Sequence, residues 1–299
     1  MKHEKFITLS DGRKLGFAEY GHPAGMPILY FHGTPGSRLE AGLYHKQAAD
    51  NGYRLIGLDR PGMGLSSADK KSSVLSWPKD VENFADCLKL DKFSIVGGSG
   101  GAPFVAACAY AIPDRLRGAA IVSGMAPLEI PESKIGMPRQ QRFMNSLAQT
   151  LPWVTPIMMK LTSMALKNPK MLSQMIKQLP EADQIQFRDP EKCKAIINSS
   201  LEAFRNSTAG PAHEINILMH PWGFNLEDIK IPVTIWHGAL DTRAPLSHAK
   251  IYASLIPNSS LRIFENEGHI SLMFNQIENI LQEISRDPTN TDRPALEIT

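Results

Sequence analysis

The run Phe93-Ser94-Ile95-Val96-Gly97-Gly98-Ser99-Gly100-Gly101 constrains the fold of this chain more than any other stretch. An apolar segment of strand character ends in a glycine-rich turn, and the small-residue segment Ala102 to Ala111 that follows reads as a helix. Strand, sharp turn and helix, with Ser at the turn and Gly two positions either side, has the G-x-S-x-G spacing of a nucleophile elbow. Such a turn holds its serine in a strained conformation, and side chains at 97 and 101 would meet neighbouring chain. The Ser99 hydroxyl is then raised above the sheet beside a helix N-terminus, where backbone N–H groups can meet a developing negative charge.

The rest of the chain falls into place around this turn. Phe6 to Ser10 and Lys14 to Tyr20 flank Asp11-Gly12, a hairpin signal. Ile28 to Phe31, Leu55 to Leu58, Ala119 to Val122, Val233 to Trp236 and Leu261 to Phe264 are short, largely apolar runs, as strands covered on both faces should be. Helical patterns separate them over Leu39 to Ala49, around Val81, Phe84, Ala85 and Leu88, around Ala249, Tyr252, Ala253 and Ile256, and around Ile277, Ile280, Leu281 and Ile284. This βα alternation predicts an α/β fold, a mostly parallel eight-stranded sheet with helices on both faces. From Met125 to about Asp228 the alternation stops. Helices are predicted over Phe143 to Leu151, Ile157 to Lys167, Met171 to Leu179 and Cys193 to Phe204, with no convincing strand. The chain thus divides into a core (1–124 and 229–287), a helical insertion (125–228) and a polar, Pro-containing tail (288–299).

Ligands in such sheets bind beyond the carboxyl ends of the strands. Ser99, Asp241, His269 and the loop 32–37 all follow strands, so the topology gathers four separate parts of the sequence at one edge. A serine hydroxyl needs a base, and the base an orienting acid. His269, in a loop before the last helix, suits the base, although a lone histidine there could equally cap the helix. Asp241 suits the acid, although with Thr242 it could also open the next helix. Asp59 is a weaker alternative. The order Ser, Asp, His is the one expected of this elbow. Two N–H donors for an oxyanion are predicted at Gly100, after the nucleophile, and at Thr34, because Pro35 has no N–H and Gly33 lies nearer the strand end.

Composition narrows the partners. The net charge is +2 over 299 residues, and nothing in it points to nucleic acid or to a polybasic membrane anchor. No run approaches the length of a membrane span. Cys87, Cys108 and Cys193 show neither metal-ligand spacing nor a disulfide framework, and no cluster suggests a metal or cofactor. Residues 1–6 have no apolar stretch behind them. The reading is a soluble, cytoplasmic chain.

Four stretches, Phe31 to Gly36, Asp59-Arg60-Pro61-Gly62-Met63-Gly64, the turn around Ser99, and Trp236 to Asp241 with Gly268-His269, together resemble the α/β-hydrolase superfamily in the right order. The resemblance implies a Ser99–Asp241–His269 triad, oxyanion donors at Thr34 and Gly100, and a helical cap over the site at 125–228. His32-Gly33-Thr34-Pro35-Gly36 is similar to the HGGPG loop of proline iminopeptidases. Thr34 replaces the middle glycine, however, and Gly100 stands where those enzymes usually carry Trp. A haloalkane dehalogenase would carry Asp at 99. The implied activity is hydrolysis of a small or medium acyl ester through an acyl-enzyme. The nine methionines of the insertion hint at an apolar substrate portion, or simply at packing. One alternative is a prolyl-type aminopeptidase acting on an amide, which would need an amine-binding carboxylate such as Glu129, Glu132, Glu202 or Glu214. The other is a ligand sensor with vestigial activity.

Overall fold

Apolar strand runs separated by amphipathic stretches bury best as one sheet between two helical layers, and the chain folds that way. The computed structural model describes residues 4–286; the tail read over 288–299 lies outside the described residues. The strands are β1 (Lys5–Thr8), β2 (Lys14–Gly21), β3 (Met26–Phe31), β4 (Tyr53–Leu58), β5 (Phe93–Gly98), β6 (Leu116–Val122), β7 (Val233–Gly238) and β8 (Ser259–Phe264). They form one sheet in the order β1-β2-β4-β3-β5-β6-β7-β8. β2 runs antiparallel to β1 and β4, and every other pairing is parallel. The reversal at β3, between β4 and β5, opens a crevice at the carboxyl ends of the central strands.

The first helices are α1 (His45–Asp50), α2 (Trp77–Cys87) and α3 (Ala102–Ala111). The helix read over 39–49 begins as a 3-10 turn, Arg38–Tyr44, and becomes regular only at His45. Six helices follow β6: α4 (Arg139–Thr150), α5 (Thr155–Lys167), α6 (Pro169–Lys177), α7 (Glu181–Gln186), α8 (Pro190–Glu202) and α9 (Ala209–Leu218). Among the described residues no strand interrupts them. The short α7 and α9 were absent from the sequence expectation. α9 carries Gly210 and Pro211 in its first turn, which hides its pattern, although Pro is tolerated there. α10 (Leu246–Leu255) and α11 (Ser271–Ile284) complete the fold.

Side-chain alternation along the strands sorts the core onto the two faces. Leu29, Phe31, Ile95 and Ile121 pack with Trp77 and Phe84 of α2, Phe104 of α3 and Tyr252 of α10. Ile28, Tyr30, Val96 and Trp236 face the other way, toward Ala48 of α1 and Leu272, Ile277 and Ile280 of α11. α3 is apolar all round and buried along most of its length, as a helix under the central strand must be.

Candidate active site

At the end of β5 the backbone turns at Ser99, whose φ of 53° lies in the left-handed region that costs a non-glycine residue free energy. The strain is held by contact on both sides. A Cβ on Gly97 would lie 2.8 Å from Gly101 O and from Val105 Cγ2, and one on Gly101 would lie 2.8 Å from His32 O and closer still to Phe31 O. Only glycine at both positions lets β5, α3 and the loop after β3 approach so closely. Among the described residues Ser99 Oγ has no hydrogen-bond partner, and Ser99 faces a cavity of about 260 Å3.

His269 lines the same cavity from the loop before α11. Its Nδ1 bonds Asp241 Oδ2 at 2.7 Å, with Nδ1–H the donor to the carboxylate oxygen. Asp241, just past β7, is held in turn by the N–H groups of Arg243 and Ala244 at 2.8 and 2.9 Å on its Oδ1. Burial alone would raise the Asp241 carboxyl. The charge and hydrogen bond of His269, with His237 and the Ala244 N–H, outweigh burial and hold it below the usual carboxylate value. The structure thus brings Ser99, His269 and Asp241 to one edge of the sheet. Asp59 is excluded as the acid: the Arg38 N–H and guanidinium and the Leu65 N–H occupy its carboxylate.

Thr34 lies against Gly100. A Cβ on Gly100 would be 3.4 Å from Thr34 N and would overlap Thr34 Oγ1. The side chain at 34 therefore fills the space a side chain at 100 would need. The loop carrying Thr34 is fixed from below. His32 Nδ1–H donates to Gly33 O at 2.7 Å and Nε2 accepts from Arg60 N at 3.3 Å, so His32 is a neutral brace whose basicity burial and the Arg60 charge lower strongly. Arg60 donates to His32 O at 2.7 Å, stacks 4.6 Å from the Phe104 ring, and pairs at 2.6 and 2.7 Å with Glu214 of α9. Glu214 also accepts the Thr34 hydroxyl at 2.5 Å.

A second carboxylate from the insertion holds the histidine side. Asp183 of α7 is fully buried and accepts the backbone N–H groups of His269, Ile270 and Ser271 at 3.0, 2.8 and 2.8 Å. These are the donors at the start of α11, which has no cap of its own. Sequence reasoning missed Asp183, which lies 86 residues from its first partner with no local signal. Arg60 entered the sequence reading only as part of the stretch Asp59 to Gly64, with no role of its own.

The cavity wall facing Ser99 comes from the insertion: Thr162 and Leu166 of α5, Leu172, Met175 and Ile176 of α6, and Ile196 of α8. Of the nine methionines between 125 and 228, Met175 alone lines it, so the others serve packing or surface. Glu129, Glu132, Glu202 and Glu214 do not line it. Glu202 is taken by Arg38 and Arg205, and Glu214 by Arg60. The acid that does line it is Glu40, from the core, which accepts Tyr30 O–H at 2.8 Å and Gly33 N–H at 3.1 Å. Burial raises the Glu40 carboxyl, against the opposing pull of those bonds and of Arg60 and His269. Among the described residues no cluster of His, Cys, Asp and Glu suits a metal ion.

Comparison with known proteins agrees with this architecture. Aligned segments are 25% identical over 122 residues to a proline iminopeptidase of Neisseria gonorrhoeae, covering 39% of this chain and 38% of that one. They are 30% identical over 129 residues to a non-heme chloroperoxidase of Streptomyces lividans, covering 42% and 46%. The similarity therefore spans less than half the length of these relatives. An esterase from Exiguobacterium antarcticum superposes with a TM-score of 0.66 at 20% identity, covering 95% of this chain and 100% of that one. An esterase from Rhodococcus does so at 0.67 and 19%, covering 95% and 99%. At such identities these two structures bear on the fold alone. A family model described as alpha/beta hydrolase fold matches residues 26–276, and the chain belongs to that family.

Proposed function

We propose that this protein is a serine hydrolase that cleaves a small or medium acyl ester through an acyl-enzyme. The observation that carries the reading is the strained Ser99 at the foot of a largely apolar cavity that also receives His269, itself bonded to Asp241. Ser99 Oγ attacks the ester carbonyl carbon while His269 Nε2 takes its proton. The oxyanion is met by the N–H groups of Thr34 and Gly100. The intermediate collapses, the C–O bond to the alcohol breaks, and His269 returns the proton to the leaving oxygen. Water, deprotonated by His269, then attacks the acyl-enzyme and releases the acid and Ser99. Asp241 keeps His269 in the tautomer this needs. The serine-to-histidine contact in such sites tightens when substrate is bound.

In this reading residues 125–228 act as a cap whose inner face sizes the acyl group. A cavity near the lower end of the range for small-molecule sites favours short and medium chains. Local similarity to proline iminopeptidases favours a peptidase alternative, but none of the four insertion glutamates named for amine binding faces the cavity. Three unpaired cysteines, with Cys87 exposed, support a reducing, cytoplasmic setting. The test is turnover of p-nitrophenyl esters from acetate to decanoate beside prolyl-arylamides. A maximum within the ester series, with the arylamides inert, is the expected result. Cleavage of prolyl-arylamides without ester turnover overturns it.

A further inference from the structure

The net charge of +2 conceals an uneven distribution. Residues 133–180 contain seven lysines and arginines and no aspartate or glutamate. The sequence reading, which found no polybasic membrane anchor, weighed the charge of the whole chain and not of this stretch. Arg139 and Arg142 on α4, Lys160 and Lys167 on α5, and Lys170 and Lys177 on α6 are all exposed, and among the described residues none is in an ion pair.

The same surface holds six of the thirteen exposed large apolar side chains of the described residues. Phe143 is 65% exposed, Trp153 67%, Ile157 52%, Leu161 57%, Met164 55% and Met171 44%. They lie on adjoining elements: the turn 152–154 packs on α4 and on α5, and α6 packs on α5. On α5 the residues Ile157, Leu161 and Met164 fall at i, i+4 and i+7, one face of the helix. The opposite face presents Met159 and Ser163 to the interior and Leu166 to the cavity. A helix apolar on both faces needs cover on both, and exposed apolar side chains grouped on adjoining elements among cations mark an interaction site.

We propose that the outer face of α4, the 152–154 turn, α5 and α6 docks on an anionic lipid surface. Aromatic and aliphatic residues projecting among lysines and arginines, with no acidic residue between them, match the requirements of an interfacial helix: apolar side chains enter the acyl boundary while the cations meet phosphate groups. Long lysine stems at the margin, Lys160 and Lys167, can lie along the apolar face with their charges in the headgroup layer. Charge complementarity selects this occupant over a second copy of the chain, because an isologous contact through this face would set its cations against one another. The attachment is peripheral, since among the described residues no helix is long and apolar enough to cross a membrane. The inner side of α5 and α6 lines the cavity, so docking would place the cavity wall against the source of a lipid-soluble ligand.

The test is co-sedimentation of the full chain with vesicles of phosphatidylcholine and of an equal mixture with phosphatidylglycerol. It reads binding, not turnover, and stands whether or not Ser99 is a nucleophile. Retention on the anionic vesicles at low salt, lost on phosphatidylcholine alone and at about 0.5 M salt, is the expected result. K160E with K167E lowers the partition constant at least roughly 25-fold, at about fivefold for each charge removed, and W153S with L161S lowers it further. These exposed substitutions leave the melting temperature unchanged. Absence of binding to anionic vesicles at low salt, or binding indifferent to both pairs of substitutions, overturns the proposal. Concentration-dependent dimerisation abolished by W153S overturns it in favour of a second copy.

Discussion

Thr34 and Gly100 share one volume, and the consequence is measurable at a single side chain. The Thr34 hydroxyl is anchored on Glu214, so it cannot yield to a new Cβ at 100 without losing that bond. Gly100→Ala should therefore displace the Thr34 backbone and weaken oxyanion binding, lowering kcat by roughly 10- to 100-fold with the fold intact. Thr34→Gly in the Gly100→Ala background should recover part of the loss by vacating the space. Comparison of kcat for the two single variants and the double variant checks this. Loss in the double variant equal to the product of the single losses would contradict a shared volume.

Two buried polar groups, one on an element of the insertion and one on an element of the core, tie the two together. Asp183 supplies the cap that α11 lacks, and its loss leaves three N–H groups unpaired beside His269. Asp183→Asn, which keeps one acceptor oxygen, should lose the His269 N–H bond. We expect stability to fall by about 2 kcal/mol and kcat by at least about tenfold, with KM nearly unchanged. Thermal melts and steady-state kinetics on the folded protein check this, and a normal kcat would contradict it. His248 of α10 is the second link. It accepts from Ala126 N at 3.1 Å and donates to Ser133 O at 2.8 Å, pinning the chain where it leaves β6. Burial brings the His248 basicity down to about 4, against the opposing bond to Ser133. The unfolded chain takes up this proton near pH 6.5 and the folded chain only near 4. The associated stability is fully present above pH 6.5 and is lost as pH falls toward 4, by about 3 kcal/mol. His248→Gln should flatten that part of the curve, read from urea melts between pH 7.5 and 4.5; an unchanged slope would contradict it.

On the scale of the whole molecule, core and insertion meet at buried ion pairs, the tightest being Arg60–Glu214. Glu214→Gln leaves the Arg60 charge unmatched and should destabilise the protein by about 3–5 kcal/mol. Arg60→Met with Glu214→Met should restore much of that stability but not the turnover, because Thr34 and His32 lose their anchor; melting temperature and kcat measured together check this. None of these long-range links was legible in the sequence. What was legible was local: the apolar strand runs, the glycines around Ser99, the Asp11-Gly12 hairpin, and the positions of Ser99, Asp241 and His269 just after β5, β7 and β8. Strand order, the braces of Asp183 and Glu214, and Glu40 in the cavity depend on contacts between residues far apart in the chain, which no periodicity records. The central claim, that Ser99 is an acylated nucleophile, is tested most directly by treating wild type and Ser99→Ala with an alkyl fluorophosphonate and mapping the adduct by mass spectrometry. A single adduct on Ser99, formed only in wild type and in step with loss of ester turnover, is the predicted result. Ester turnover that survives in Ser99→Ala, or an adduct on another residue that abolishes it, would contradict the account.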